Sequence, residues 1–220
     1  MAARDRSIRG PSEFAEAFEV SRETGDRLDA YAALLRRWQK TINLVAPSTL
    51  DDIWNRHFAD SAQLLKFAPD SVKTWLDIGS GAGFPGLVVA IMLPARRQVR
   101  MVLIESDSRK AAFLGEAARA TGVVVDIVCA RIESSSTHAK VGPVDIVSAR
   151  ALAPMGRLLE LASPFFSSRT KGLFLKGRNV ETEIAEASAT WSFAHRLEPS
   201  LTEPEGRIVV IENLHVKSEG

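Results

Sequence analysis

The sequence is poor in the residues that build covalent or metal scaffolds, and Cys129 is its only cysteine. One cysteine excludes an internal disulfide and a cysteine-built zinc module, and the residue type points to a buried core thiol. The histidines His57, His138, His195 and His215 are scattered without the spacing of metal ligands, so no metal is expected. Long apolar runs are missing too. The longest, residues 84–93, is broken by Pro85 and Gly86 and falls well short of the ~20 residues that cross a bilayer, so no membrane span is expected. Residues 1–12 carry Arg4, Asp5, Arg6 and Arg9 and lack the apolar centre of a secretory signal, which predicts a cytoplasmic location. Charge of one sign is also lacking: Lys and Arg total 28 against 27 Asp and Glu, leaving a net charge of +1. Such a chain has no global cationic field, so any nucleic-acid site must be a local patch. One candidate is Arg150, Arg157, Arg169, Lys171, Lys176 and Arg178, which face the single acid Glu160 in the same stretch.

What the sequence does have is apolar content, 45% of its 220 residues, enough for a substantial core. The pattern divides it into a helical segment, residues 1–70, packed on an α/β unit, residues 71–220. A short helix is expected over 12–20 with Ser12 as its cap, and a longer one over 21–40, where Leu28, Tyr31, Leu35 and Trp38 recur on one face. Thr49, followed by Asp51 and Asp52, resembles the N-cap of a helix carrying Ile53, His57, Leu64 and Leu65. From Thr74 onward, short apolar runs at 75–78, 99–104, 123–129, 144–148, 172–175 and 207–212, with a weaker one at 195–201, alternate with helical patterns at 85–93, 108–121, 154–165 and 179–191. Runs of this kind read as strands buried on both faces of a mostly parallel sheet. The last two, separated by a turn with Pro204 and Gly206, suggest a closing antiparallel hairpin at the sheet edge. Trp38, Trp54 and Trp75 sit within or beside apolar periodic segments and read as core anchors.

The chemistry concentrates at residues 74–86, Thr-Trp-Leu-Asp-Ile-Gly-Ser-Gly-Ala-Gly-Phe-Pro-Gly, where a strand runs into a glycine-rich turn that opens a helix. Gly79, Gly81 and Gly83 permit a sharp turn and close approach of a ligand to the backbone. Ligands of such sheets sit beyond the carboxyl ends of the strands, so this turn is expected to wall a site. The string from Gly81 to Gly86 also fits the dinucleotide fingerprint G-x-G-x-x-G, a weak match by itself. Asp77, just before the turn, suits the cationic methionine portion of S-adenosylmethionine better than a pyrophosphate, and no Lys-Ser or Lys-Thr follows to make a P-loop. Glu105, at the end of the second strand, is placed to accept hydrogen bonds from ribose hydroxyls, a role common to nicotinamide and adenosylmethionine enzymes.

Several motifs in order resemble one family. They are Trp-Gln-Lys-Thr-Ile-Asn-Leu-Val at 38–45, Arg-His-Phe-Ala-Asp-Ser at 56–61, the turn at 77–86, Arg-Lys-Ala-Ala-Phe-Leu at 109–114, Ser-Ala-Arg-Ala-Leu-Ala-Pro at 148–154 and Leu-Lys-Gly-Arg at 175–178. Over residues 25–213 the sequence is similar to RsmG, also called GidB, the bacterial 16S ribosomal RNA guanine-N7 methyltransferases. It departs from the pattern at Gln39, where Asn is usual, at Val45, where Thr is common, and at Glu105, where Asp is commoner. The resemblance implies a Rossmann-like class I S-adenosylmethionine-dependent fold, with a seven-stranded, mostly parallel sheet, a closing antiparallel strand and N-terminal helices. It implies that Gly79 and Phe84 contact the cofactor, that Ile132 and Glu133 hold its adenine region, and that Arg150 lines its site. The implied substrate is a guanine in the decoding-region loop of 16S rRNA, as RNA or as small ribosomal subunit, and the enzyme is expected to act as a monomer.

Guanine N7 already offers an in-plane lone pair, so its methylation needs no general base and the rate comes from proximity and orientation. Arg150 is the expected positioning residue for the base, since an arginine fork reads guanine along O6 and N7. Arg56, His57 and Asp60 are expected to shape the substrate mouth, with a hydrogen-bonded structural histidine as the other reading of His57. Lys176 and Arg178 are expected to contact phosphates. The alternatives are methylation of another RNA site, a small-molecule or protein methyltransferase, a nicotinamide oxidoreductase and a non-catalytic RNA-binding module.

Overall fold

Leu28, Tyr31 and Leu35 fall on one face of helix α2 (Arg22–Trp38) and are completely buried, which is why this segment is a helix against the sheet. Ser21 caps it, its hydroxyl accepting from the Thr24 amide at 3.2 Å. The computed structural model describes residues 8–93 and 98–217; residues 1–7, with Arg4, Asp5 and Arg6 of the charged start, 94–97 and 218–220 lie outside the described residues. Helix α1 (Pro11–Phe18) begins earlier than expected: Gly10, not Ser12, is at the cap, because Pro11 fits the first helical position without an amide to satisfy. Thr49 is not a helix cap either. It ends a 3-10 turn (Pro47–Thr49), and its hydroxyl donates to the Ala46 carbonyl at 2.8 Å. The helix that follows is irregular, running from a π-helical turn (Trp54–Ala59) through α3 (Asp60–Ala62) into a 3-10 turn (Gln63–Phe67).

Strands β1 (Thr74–Ile78), β2 (Arg100–Glu105), β3 (Asp126–Cys129), β4 (Ile146–Arg150) and β5 (Lys171–Lys176) are parallel, and β6 (Trp191–Pro199) and β7 (Arg207–Val216) form an antiparallel hairpin. The sheet order is β3-β2-β1-β4-β5-β7-β6, with β7 antiparallel to β5. This is the seven-stranded, mostly parallel sheet with a closing antiparallel element that the sequence implies. Between the strands lie α4 (Gly86–Met92), α5 (Ser108–Thr121), α6 (Ser135–Val141), α7 (Met155–Ala162) and α8 (Val180–Ala187).

Alternate side chains of each central strand enter two layers. Trp75 joins the core shared with α1, α2, α4 and α5, whereas Leu76 and Ile78 join the core beneath α6, α7 and α8. Trp54 and Trp75 are buried anchors as expected; Trp38 is only half-buried and donates to Glu116 at 3.0 Å. Two expectations fail at the β3 edge. That strand starts at Asp126 rather than Val123, and Cys129 is exposed rather than a core thiol, because an edge strand is covered on fewer sides than the inner five. Helix α6 is absent from the sequence-based expectation, since Ser-Ser-Thr-His-Ala-Lys-Val carries no apolar period. Among the described residues no helix is long and apolar enough to cross a membrane.

Two glycines serve as a stability test of this packing. At Gly83, φ is +92°, and an added Cβ would lie 2.6 Å from the Tyr31 hydroxyl and 2.9 Å from Leu87 Cβ. Gly83→Ala is therefore expected to destabilise the protein by roughly 3 kcal/mol or more. Gly25, inside α2, has nothing within 4 Å of that position, so Gly25→Ala is expected to stabilise by about 0.5–1 kcal/mol. Urea midpoints of the two variants check both signs.

Candidate active site

The chain turns outward in opposite directions from β1 and β4, toward β2 and β3 on one side and toward β5 on the other. The crevice beyond the carboxyl ends of these two neighbours is where such sheets bind ligands. Two hollows open there. One, of about 350 Å³, is lined by Gly79 and Gly81 of the turn, Glu105 and Ser106 after β2, Arg131, Ile132 and Glu133 after β3, and Ala151 and Leu152 after β4. The other, of about 270 Å³, is lined by Arg56, Asp60, Arg150, Ala151, Lys176, Glu183 and the turn between β6 and β7. Ala151, held at φ +50°, belongs to both walls.

The glycines divide between these tasks. Gly79 (φ +67°) and Gly81 (φ +56°) need the left-handed backbone that glycine adopts without strain, and both face the first hollow. Gly83 and Gly86 are packing glycines instead: a Cβ on Gly86 would lie 2.5 Å from Leu103 and 2.7 Å from Asp77 Cβ. Glu105 accepts from the Gly81 amide through Oε2 and from the Asp107 amide through Oε1, each at 2.8 Å. It thus fixes the turn against the β2–α5 loop and keeps lone pairs for a further donor. The unexpected α6 holds the opposite wall, because Thr137 donates to the Arg131 carbonyl at 2.9 Å and His138 Nε2 meets the Ile132 carbonyl at 2.7 Å. The cradle fits an adenosine ligand: backbone free to approach, a fixed carboxylate, and an apolar Ile132 beside Glu133.

Asp77 lies deeper than expected, with no exposed surface. Its Oδ1 accepts from Ser148 at 2.7 Å, and Ser148 in turn accepts from Trp75 Nε1 at 2.9 Å. Its Oδ2 is the one buried side-chain oxygen or nitrogen without a hydrogen bond among the described residues. Burial pushes its carboxyl up to about 6, against the lowering effects of Ser148, Ser80, the Gly86 backbone and the more distant Arg150 charge. Asp77 lines neither hollow, so it can favour a cationic ligand group at the turn only through its charge.

The second hollow is organised around Arg150. Its Nη2 donates to His57 Nδ1 at 2.6 Å, its Nη1 donates to the Arg56 carbonyl at 3.1 Å, and Asp60 Oδ2 lies 3.9 Å away. The guanidinium also sits over the ring of Phe84, 5.2 Å from its centre. Arginine only donates, so His57 Nδ1 must be unprotonated and Nε2 carries the hydrogen, which points to Thr49 Oγ1 at 2.7 Å. Burial and the Arg150 and Arg56 charges push the imidazole down to about 3, so His57 is neutral. Phe84 is buried in an aromatic cluster with Tyr31, His57 and Phe58. Neither residue lines the first hollow, contrary to expectation: Arg150 borders the second, and Phe84 lines neither because it is packed beneath the guanidinium.

The basic stretch 150–178 does not form one patch. Lys171 and Lys176 stand at opposite ends of β5, ~17 Å apart at strand rise, and Arg157 is tied to Glu160 at 2.7 Å beside the first hollow. Lys176 is largely buried in an ion pair with Glu183 at 2.5 Å. Arg178 is mostly exposed, 3.7 Å from Glu205, and Arg56 is paired with Glu203. Sequence inspection missed Glu183, Glu203, Asn55 and Gln63. Asn55 and Gln63 fasten the β6–β7 turn to the irregular helix by bonds to Thr202, Ser200 and Leu201, and nothing local in the sequence signals contacts of that span. Among the described residues no cluster of His, Cys, Asp and Glu could hold a metal ion.

Comparison with known proteins agrees with this geometry. The family model described as rRNA small subunit methyltransferase G matches residues 25–209. The ribosomal RNA small subunit methyltransferase G of Parvibaculum lavamentivorans is 48% identical over 92% of this chain and 88% of its own length. The protein of the same name from Rhodospirillum rubrum is 47% identical over 93% and 98%. Among solved structures, an MtNAS variant in complex with S-adenosylmethionine superposes with a TM-score of 0.56 at 12% identity, covering 95% of this chain and 85% of that one. A TehB-like SAM-dependent methyltransferase from Corynebacterium glutamicum gives 0.53 at 12% identity, over 84% and 96%. These structural likenesses speak for the fold.

The buried carboxyl gives a pH test. Its folded value lies above the unfolded one near ~3.9, so the native state binds the extra proton and stability falls as pH rises from about 4 to about 6. Asp77→Asn removes that dependence. The ligand-free variant is expected to gain on the parent across this window, by on the order of 2–3 kcal/mol, and to run parallel to it above pH 7. Urea titrations from pH 4 to 8 measure the gap; parallel curves throughout would contradict the assignment.

Proposed function

This chain belongs to the rRNA small subunit methyltransferase G family, and on that premise we propose that it transfers a methyl group from S-adenosylmethionine to N7 of a guanine in the decoding-region loop of 16S rRNA. The observation that carries the proposal is the meeting of two unlike hollows at Ala151, one suited to an adenosine and the other ringed by Arg56, Arg150 and Lys176. The substrate is ribosomal RNA or the small subunit, so the enzyme works in the cytoplasm, as a monomer in which the N-terminal helices and the sheet act as one unit.

S-adenosylmethionine supplies an electrophilic sulfonium methyl group when bound. Gly79, Gly81 and Gly83 shape the turn that receives it, Glu105 takes the ribose hydroxyls, and Ile132 and Glu133 flank the adenine. Asp77 would attract its cationic methionine portion by charge from behind the turn, and Arg150, backed by Phe84, would face it from the neighbouring hollow.

The guanine lone pair needs no deprotonation, and His57 has none to spare for that purpose because Nδ1 is taken by Arg150. His57 instead holds the guanidinium without cancelling its charge. Arg150 keeps N–H groups unused by His57 and Arg56, and these orient the base. Positive charge moves onto the purine as the bond forms, and the carboxylates of Asp60, Glu183 and Glu203 in the same hollow offset it. Arg56 and Arg178 contact RNA phosphates at the rim.

Two measurements test this. Incubation with labelled S-adenosylmethionine and small subunits from cells lacking the modification is expected to place the label on N7 of one guanine of the decoding-region loop; label elsewhere, or none, contradicts the proposal. In RNA binding, the double variant Arg56→Gln, Arg178→Gln is expected to make the slope of log affinity against log salt shallower by about 0.7 for each phosphate that the variant no longer neutralises. An unchanged slope removes both residues from the footprint.

A further inference from the structure

Lys176 closes β5 inside the second hollow, where its ammonium donates to the Ala153 carbonyl at 3.0 Å and pairs with Glu183 Oε2 at 2.5 Å. The same Oε2 accepts from the Met155 amide at 2.8 Å. These bonds fix the two side chains next to each other at the wall that also contains Arg150 and Ala151. Two of the three ammonium hydrogens are committed to Ala153 and Glu183, and one remains. On the carboxylate, Oε1 receives no hydrogen bond among the described residues. The wall therefore offers one rigid donor beside one rigid acceptor. A phosphate is a poor partner for it, because the Glu183 charge stands directly beside the lysine.

We propose that the Lys176–Glu183 pair reads the O6/N1 edge of the target guanine, with Lys176 donating to O6 and Glu183 Oε1 accepting from N1–H. This deepens the proposed function and rests on it. Guanine presents an acceptor next to a donor along that edge, the complement of ammonium beside carboxylate. Adenine presents the reverse order, an amino donor next to the N1 acceptor, and would set donor against donor and lone pair against lone pair. Uracil shares guanine's order but has no N7. Gripping the base by O6 and N1 also leaves N7, on the other flank of O6, free for the methyl group. Selection thus comes from a pair that is already bonded and need not reorganise when the base arrives.

The test uses small-subunit RNA ligated around a synthetic segment carrying guanine or 2-aminopurine at the methylated position, naked or reconstituted, whichever the parent enzyme methylates. 2-Aminopurine keeps N7 and the 2-amino group but lacks O6 and the N1 hydrogen. The parent is expected to prefer guanine in kcat/KM by at least about a hundredfold. In Glu183→Gln the amide can turn its N–H toward the unprotonated N1, so the preference is expected to fall about tenfold or more, with affinity for S-adenosylmethionine unchanged. Lys176→Gln is expected to lower kcat/KM on guanine while leaving 2-aminopurine almost unaffected, since that base has no O6 to lose. Variants that slow both bases by the same factor give the pair a structural role only and overturn the inference. A parent enzyme that leaves guanine N7 unmodified overturns the function itself, a separate result.

Discussion

The hydroxyl of Tyr31 is buried against the glycine turn and donates to the Ala82 carbonyl, and the rest of the site is arranged around that contact. It ties α2 to the loop after β1, and it fills the space that a side chain on Gly83 would need. Burial holds its phenol well above the ordinary range, so it stays a neutral donor. The ring stacks on Phe84, Phe84 stacks on His57, and His57 accepts from Arg150. One helix of the N-terminal segment thereby positions both the cofactor turn and the cation proposed to orient the base. The N-terminal helices are part of the active-site scaffold and share one continuous core with the sheet.

The two hollows hold their central charges in different ways. Around the turn, carboxylates are fixed and partly unpartnered: Glu105 by two amides, and Asp77 by Ser148 with its second oxygen bare. Around Arg150 the cation is held by a neutral imidazole, a carbonyl and an aromatic face, with Asp60 just beyond hydrogen-bonding distance. A carboxylate in the place of His57 would have made a tighter pair but would have neutralised the guanidinium. Both linings mix acids with cations, and Ala151 is their common wall.

Much of this was legible in the sequence because it follows from local demands. The strand runs, the apolar face of α2 and the glycines at 79 and 81 each answer to a steric or packing need within a few residues. The G-x-G-x-x-G string was misleading for a physical reason: its last two glycines, 83 and 86, are required by Tyr31, Leu103 and Asp77 rather than by a pyrophosphate. What stayed hidden depends on distant partners. Thr49 has the composition of a cap but serves His57, Glu183 is an ordinary polar position of α8 until β5 places Lys176 beside it, and Cys129 is exposed only because β3 ends the sheet.

The turn between β6 and β7 closes the second hollow by bonds to residues more than a hundred positions earlier, Leu201 to Gln63, Thr202 to Asp60 and Arg56 to Glu203. Closing a loop of that length costs more chain entropy than the local contacts that make the helices and the glycine turn. The rim of the second hollow therefore depends on long-range contacts that the glycine turn does not share.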